Sequence, residues 1–236
     1  MSLPAAGQPV AACPLHPASQ PALVCTRCGG FTCGTCVDAE GLCAACVRRA
    51  VAELPRSEGR ASWATRFLTV SAASAVLGLM AALLSGQEEA YAAALILSGL
   101  AGLVGFVGSG ICFLRWLHLA VRLANAHGID VGATPGWAVG YWFIPFANLY
   151  RPYRVVKALA EGLGGPELAA AARVGPWWAC WVIGNLVSQA EARVHDPEVE
   201  ILVGVVSSLL SLGAALLAIG MVRALDAALV ARRATP

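Results

Sequence analysis

Seven of the nine cysteines fall between positions 13 and 46, and with one histidine they come in pairs. The pairs are Cys13 with His16, Cys25 with Cys28, Cys33 with Cys36, and Cys43 with Cys46, each with two residues between the partners. Two residues of spacing lets both side chains of a pair turn onto one ion, and two pairs complete a tetrahedral site. Eight ligands therefore provide for two zinc ions, with no cysteine left over in this stretch. A site closed by four protein ligands has no open position for substrate or water, so such zinc is structural and not catalytic. A segment this short cannot bury a sufficient core unaided. Metal binding, worth roughly 10–16 kcal/mol in small zinc modules, would supply the folding free energy.

Competing cysteine chemistries fit less well. A disulfide cluster needs an oxidising compartment, and residues 1–12 show neither the basic nor the apolar region of a secretion signal. A thioredoxin-type redox motif is one such pair between a strand and a helix, not four in a Gly-rich run. The knuckle order resembles the B-box zinc fingers, small cross-braced modules. That resemblance implies that the first and third pairs share one zinc (Cys13, His16, Cys33 and Cys36), and the second and fourth share the other (Cys25, Cys28, Cys43 and Cys46). The departure is the last pair, where B-boxes usually carry histidines and this chain has cysteines.

The elements that must carry this module are of a different composition. The chain is 58% hydrophobic and 13% charged, where soluble domains hold about 25% charged residues. Lys157 is the only lysine, a bias that fits a GC-rich bacterial genome. A bilayer span needs about 20 apolar residues. Four segments qualify or come close: Phe67 to Ser85, Ala92 to Leu114, Val174 to Ala190 and Ile201 to Met221. The expected fold is an all-α integral membrane protein with a small N-terminal two-zinc cross-brace. Its domains are the zinc module over 10–48, a juxtamembrane linker over 49–66 and a multi-pass membrane domain over 67–230.

Charge placement sets an expected topology, because basic loops stay on the cytoplasmic side. Arg48, Arg49, Arg56, Arg60 and Arg66 precede the first span. Glu88 and Glu89 lie between the first two, and the run from Glu191 to Glu200 lies between the last two. Both termini are expected in the cytoplasm of a bacterial inner membrane, with each helical hairpin turning through an acidic loop outside.

The centre does not fit a simple span. Trp137 to Tyr150 is apolar but short, contains Pro145 and is flanked by Arg115, Arg122, Arg151, Arg154 and Lys157. The expectation is a re-entrant or interfacial segment followed by a basic amphipathic helix from Arg151. The alternative is a fifth, proline-kinked span. The run from Pro135 to Tyr153, with Trp137, Tyr141-Trp142, Pro145, Asn148 and Arg151-Pro152-Tyr153, resembles the signature of a bacterial membrane family known as domain of unknown function 4328. Arg115-Trp116 and Trp177-Trp178 suit the same pattern, and the resemblance covers about residues 65–230. It implies an architecture and no activity.

Other candidates carry a bland reading. Asn148, Asn185 and Gln189 are polar groups at membrane depth, functional by default unless they simply bond between helices. Ser71, Ala75, Gly78 and Ala82, and Gly99, Gly102, Gly105 and Gly108, form small-residue faces for close helix packing, within the chain or in a homo-oligomer. Cys112 and Cys180 read as inert, and His118, His127 and His195 as interfacial or loop residues. No catalytic set, phosphate loop or nucleic-acid-binding basic patch stands out, so the chain is not expected to be an enzyme. The expected partners are the lipid bilayer and a cytosolic protein that binds the zinc module, making the chain a membrane-anchored adaptor or sensor. The alternative is a small transporter or channel with its site at 137–153.

Overall fold

The computed structural model describes residues 12–19, 23–37, 41–84, 86–191, 193 and 196–234. Two compact units divide near Pro55 and Arg56. In the first, β1 (Leu23–Val24) pairs antiparallel with β2 (Phe31–Thr32), and α1 (Ala44–Glu53) follows. In the second, α2 (Glu58–Leu83), α3 (Glu88–Ala126), α4 (Pro135–Gly140), α5 (Arg151–Ala171), α6 (Val174–Glu191) and α7 (Pro197–Ala234) are formed. The stretch 49–66, expected as a linker, is mostly helix: α1 runs to Glu53 and α2 begins at Glu58.

Among the described residues, three helices are long and apolar enough to cross a membrane: α2, α3 and α7. At 1.5 Å per residue they measure about 39, 58 and 57 Å, against a hydrocarbon core of about 30 Å. The fourth expected span, α6, has 18 residues and includes Asn185, Ser188 and Gln189. It is not among the helices long and apolar enough to cross. Leu95, Ile96, Leu97, Leu100, Leu103 and Phe106 stand exposed along the first half of α3. An apolar face of that extent belongs in lipid, and the chain is built as a membrane protein.

Small residues allow the helices to approach. Cβ atoms added at Gly105 and Gly102 would sit 2.6 Å and 3.6 Å from Ser71 Oγ and Ser74 Oγ, and one at Gly108 would strike the Phe67 ring. Ser98 Oγ donates to the Ser74 carbonyl at 2.9 Å, and Arg60 Nη1 to the Arg115 carbonyl at 3.1 Å. These contacts seat α3 antiparallel on α2. Gly99 faces open space, so three of the four expected glycines form the contact. α6 and α7 form a second hairpin, tied by Ser188 Oγ and Ser207 Oγ at 2.8 Å. Ser208 lies against Gly78 and joins α7 to α2.

The acidic connections are shorter than the sequence suggests. Glu88 and Glu89 form the first turn of α3, and Glu198 and Glu200 that of α7. Acidic residues are favoured there by the positive helix N-terminus. Asp196 Oδ1 accepts from the backbone N–H groups of Glu198 and Val199 at 3.0 and 3.3 Å, an N-cap for α7. His195 lies outside the described residues.

The densest core lies at the basic end. The second half of α3, beyond the expected end of its span, buries Trp116, Leu117, Leu119, Ala120, Val121, Leu123 and Ala124. α5 contributes Val155, Val156, Leu159, Ala160 and Leu163, and α7 contributes Met221, Val222, Leu225 and Leu229. The α5 stripe repeats at helical spacing, with Arg154, Lys157 and Glu161 on other faces. Gly164 and Gly165 interrupt α5 ahead of Pro166; Gly165 has φ 71°, open to a residue without Cβ.

No single helix runs from Trp137 to Lys157. α4 passes into 3₁₀ turns at Tyr141–Phe143 and Ala147–Leu149, with Ile144, Pro145 and Phe146 between them. Phe146 has φ 64°, and the Ala147 N–H donates to the Pro145 carbonyl at 2.8 Å. That is a tight, strained turn. α5 starts afresh at Arg151. The fifth-span alternative required one kinked helix, and the segment is instead broken over ten residues.

Candidate metal centre

The eight predicted ligands are brought together in two groups. Cys13, His16, Cys33 and Cys36 form one; Cys25, Cys28, Cys43 and Cys46 form the other. Within each, one ligand atom from every residue lies within 4.8 Å of all the rest. His16 Nδ1 is 3.1 Å from Cys36 Sγ and 3.5 Å from Cys33 Sγ. Cys28 Sγ is 3.8 Å from Cys43 Sγ.

Local backbone geometry builds each knuckle. The His16 N–H donates to the Cys13 carbonyl at 3.2 Å. The Gly29 N–H donates to the Cys25 carbonyl at 2.9 Å, and Gly29 takes φ 70°, a conformation with little cost only for glycine. The N–H groups of Cys36 and Val37 both donate to the Cys33 carbonyl. Cys43 caps α1 and Cys46 lies in its first turn. The Thr26 N–H donates to the Gly41 carbonyl at 3.0 Å, which draws the fourth knuckle beside the second.

The hairpin explains the interleaving. Cys25 follows β1 and Cys28 sits in the loop at one end, while β2 carries the chain back before Cys33. Two strand residues advance the chain by about 7 Å. The second and third knuckles, close in sequence, are thereby sent to opposite ends of the hairpin.

The sulfur environments are uneven. The Cys43 backbone N–H, 3.3 Å from Cys25 Sγ, together with that of Cys28, lowers the Cys25 thiol to about 6. At Cys33 burial opposes ionisation, but N–H groups of Thr35 and Cys36 and the neighbouring thiols outweigh it, leaving about 7. Burial and the competing thiols of Cys33 and Cys13 push Cys36 up to about 11. Burial and the thiols of Cys28, Cys43 and Cys25 push Cys46 up to about 12. Each group thus holds at least one thiol that ionises readily and one held back by burial and by its neighbouring thiols. A cation at the centre removes that conflict. Cys13, Cys25, Cys33 and Cys46 are buried, and no disulfide joins the described cysteines.

The other polar candidates separate. Asn185 Nδ2 donates to the Trp181 carbonyl at 2.7 Å and Gln189 Nε2 to the Asn185 carbonyl at 3.2 Å, bonds within α6 itself. Asn148 differs: its Oδ1 is buried without a partner. Cys112 and Cys180 are half-buried, 
and Cys180 lines a cavity with Asn148 and Asn185; Gln189 does not. Trp142 packs edge-on against Trp178 and Trp181, at 5.7 and 5.4 Å between centroids, and Trp178 Nε1 donates to the Leu149 carbonyl at 3.2 Å. Sequence reasoning missed Asp226, a buried carboxylate in α7, because nothing local distinguishes it from a solvated helix residue.

These features define a helical membrane protein with a cysteine-rich head in metal-binding geometry. Residues 80–227 match the family described as Domain of unknown function (DUF4328), and the chain belongs to that family. The match begins after the metal module. No curated protein and no solved structure matches the chain.

Proposed function

We propose that the chain is a non-enzymatic, membrane-anchored adaptor or sensor whose head holds two structural zinc ions and binds a cytosolic protein. The ligand chemistry supports zinc: seven thiols and one imidazole are soft and borderline donors. Tetrahedral zinc with sulfur at about 2.3 Å places its sulfurs roughly 3.8 Å apart, and Cys28 and Cys43 are separated by that distance. The ions would close the module around its small hairpin and leave no coordination position for a substrate.

One observation carries the binding role. Val24 and Phe31 are cross-strand partners on the hairpin, and both are exposed, as are Leu23 and Leu15 elsewhere on the module. Apolar side chains collected on a module with almost no core of its own mark a contact surface. Four spans, with both termini in the cytoplasm and segment 137–153 entering from that side, complete the reading. It is supported by the arginines at one end of the helices and the acidic first turns at the other.

The test is site-specific cross-linking in intact cells. A photoreactive residue in place of Phe31 should give one discrete protein adduct, and Val24→Ser should abolish it while zinc content stays at two. A photoreactive residue that yields no adduct, or one indifferent to Val24→Ser, would remove the adaptor role and leave the metal assignment standing.

A further inference from the structure

The membrane unit contains a cavity of about 730 Å³, within the size range of small-ligand sites. Its walls come from α2, α3, α6, α7 and the broken segment before α5. It lies wholly inside the second compact unit and owes nothing to the zinc head.

Among the described residues, no Asp, Glu, Lys, Arg or His lines it. A charged ligand there would be desolvated without a counter-charge, which is heavily disfavoured. Much of the wall is aromatic and aliphatic, including Phe106, Trp177 and Trp181. Several of its polar side chains already have partners. Ser71 and Ser109 donate to carbonyls of their own helices, Asn185 donates to Trp181, and Ser188 bonds Ser207.

Two lining residues differ in that their unpartnered polar atom is buried. Trp142 Nε1 is a buried donor with no acceptor, and Asn148 Oδ1 is a buried acceptor with no donor. Buried polar atoms without partners are uncommon in folded proteins. Here one of each kind occurs in the same ten-residue break, on two residues that line the same cavity. A single group that both accepts and donates would complete both.

The geometry points to a binding site for a neutral amphiphile: an apolar acyl or ring body lying against the tryptophans, and one hydroxyl or carboxamide head that accepts from Trp142 Nε1 and donates to Asn148 Oδ1. Anions, cations and zwitterions are excluded by the uncharged wall. A hydrocarbon or simple ester leaves at least one of the two atoms unpaired.

The test uses full-length protein in detergent micelles and quenching of its tryptophans by brominated lipid. The probes are dibromostearoyl-monoglycerol, which is neutral with hydroxyls, its methyl ester counterpart, and the dibromostearate anion. Monoglycerol should quench saturably and bind about tenfold more tightly than the methyl ester, the effect of one hydrogen bond left unmade in a dry site. Trp142→Phe and Asn148→Leu should each remove most of that preference without altering the elution profile on size-exclusion chromatography. Gly110 lines the cavity and an added Cβ there meets nothing within 4 Å. Gly110→Phe should therefore fold and weaken binding of both neutral probes. Non-saturable quenching, or quenching indifferent to Gly110→Phe, would show general partition into the micelle and overturn the site. Equal affinity for the two neutral probes, or tighter binding of the anion, would overturn the assigned head group.

Discussion

Trp116 Nε1 donates to Asp226 Oδ1 at 3.1 Å, joining α3 to α7 across 110 positions of sequence in a fully buried contact. Neither partner is exposed to water, so each depends on the other. Trp116→Phe deletes the donor and replaces the indole with a smaller ring. It should lower unfolding stability by about 1–3 kcal/mol for the buried acceptor left unpaired, and further for the cavity it opens. Urea or thermal unfolding in micelles measures this. A change within error would mean that Asp226 is served by another group.

The close approach of α2 and α3 makes a paired prediction. Gly108→Ala must displace the Phe67 ring, while Gly99→Ala meets nothing within 4 Å. The first should cost about 1–3 kcal/mol, as overpacking does. The second should fall within about 0.5 kcal/mol of the parent. Equal effects would show that helix propensity, and not the contact, governs both positions.

Metal stoichiometry separates interleaved from sequential pairing. The parent protein should hold two zinc ions per chain. Cys36→Ser should lose one, and Cys13→Ser combined with Cys36→Ser should still hold one, since both residues belong to the same group. Cys36→Ser combined with Cys46→Ser should hold none. Elemental analysis of purified protein reads all four. Chelation should in turn make the seven head cysteines reactive to a thiol reagent.

Topology is tested from the helix starts. Glu88 in the first turn of α3 and Asp196 at the cap of α7 are both exposed. Glu88→Cys and Asp196→Cys should label on intact cells with a membrane-impermeant maleimide, and a cysteine added at the C-terminus should not. Labelling of the C-terminal cysteine alone would invert the arrangement.

The two Cys/His clusters were legible from the sequence because metal chemistry calls for both residue type and spacing. Cysteine pairs two residues apart can mean little else outside an oxidising compartment. The apolar spans were legible for a similar reason: a bilayer demands a long run without charge, and Ala92 to Leu114 meets that demand locally. The break near Pro145 was also local, since proline removes a donor that a helix needs.

Other features depended on residues distant in sequence. Cys25 and Cys43 share a group only because a two-residue hairpin turns the chain back between them, and spacing alone does not set that direction. The second half of α3 reads as an ordinary amphipathic tail, yet it buries Trp116, whose indole meets Asp226 of α7. Asp226 has no sequence signal, because its partner is on another helix. The cavity beside Trp142 and Asn148 is likewise a product of packing. Composition decides which residues can enter a membrane or hold a metal, whereas only the way helices stack decides which of their polar atoms remain without a partner.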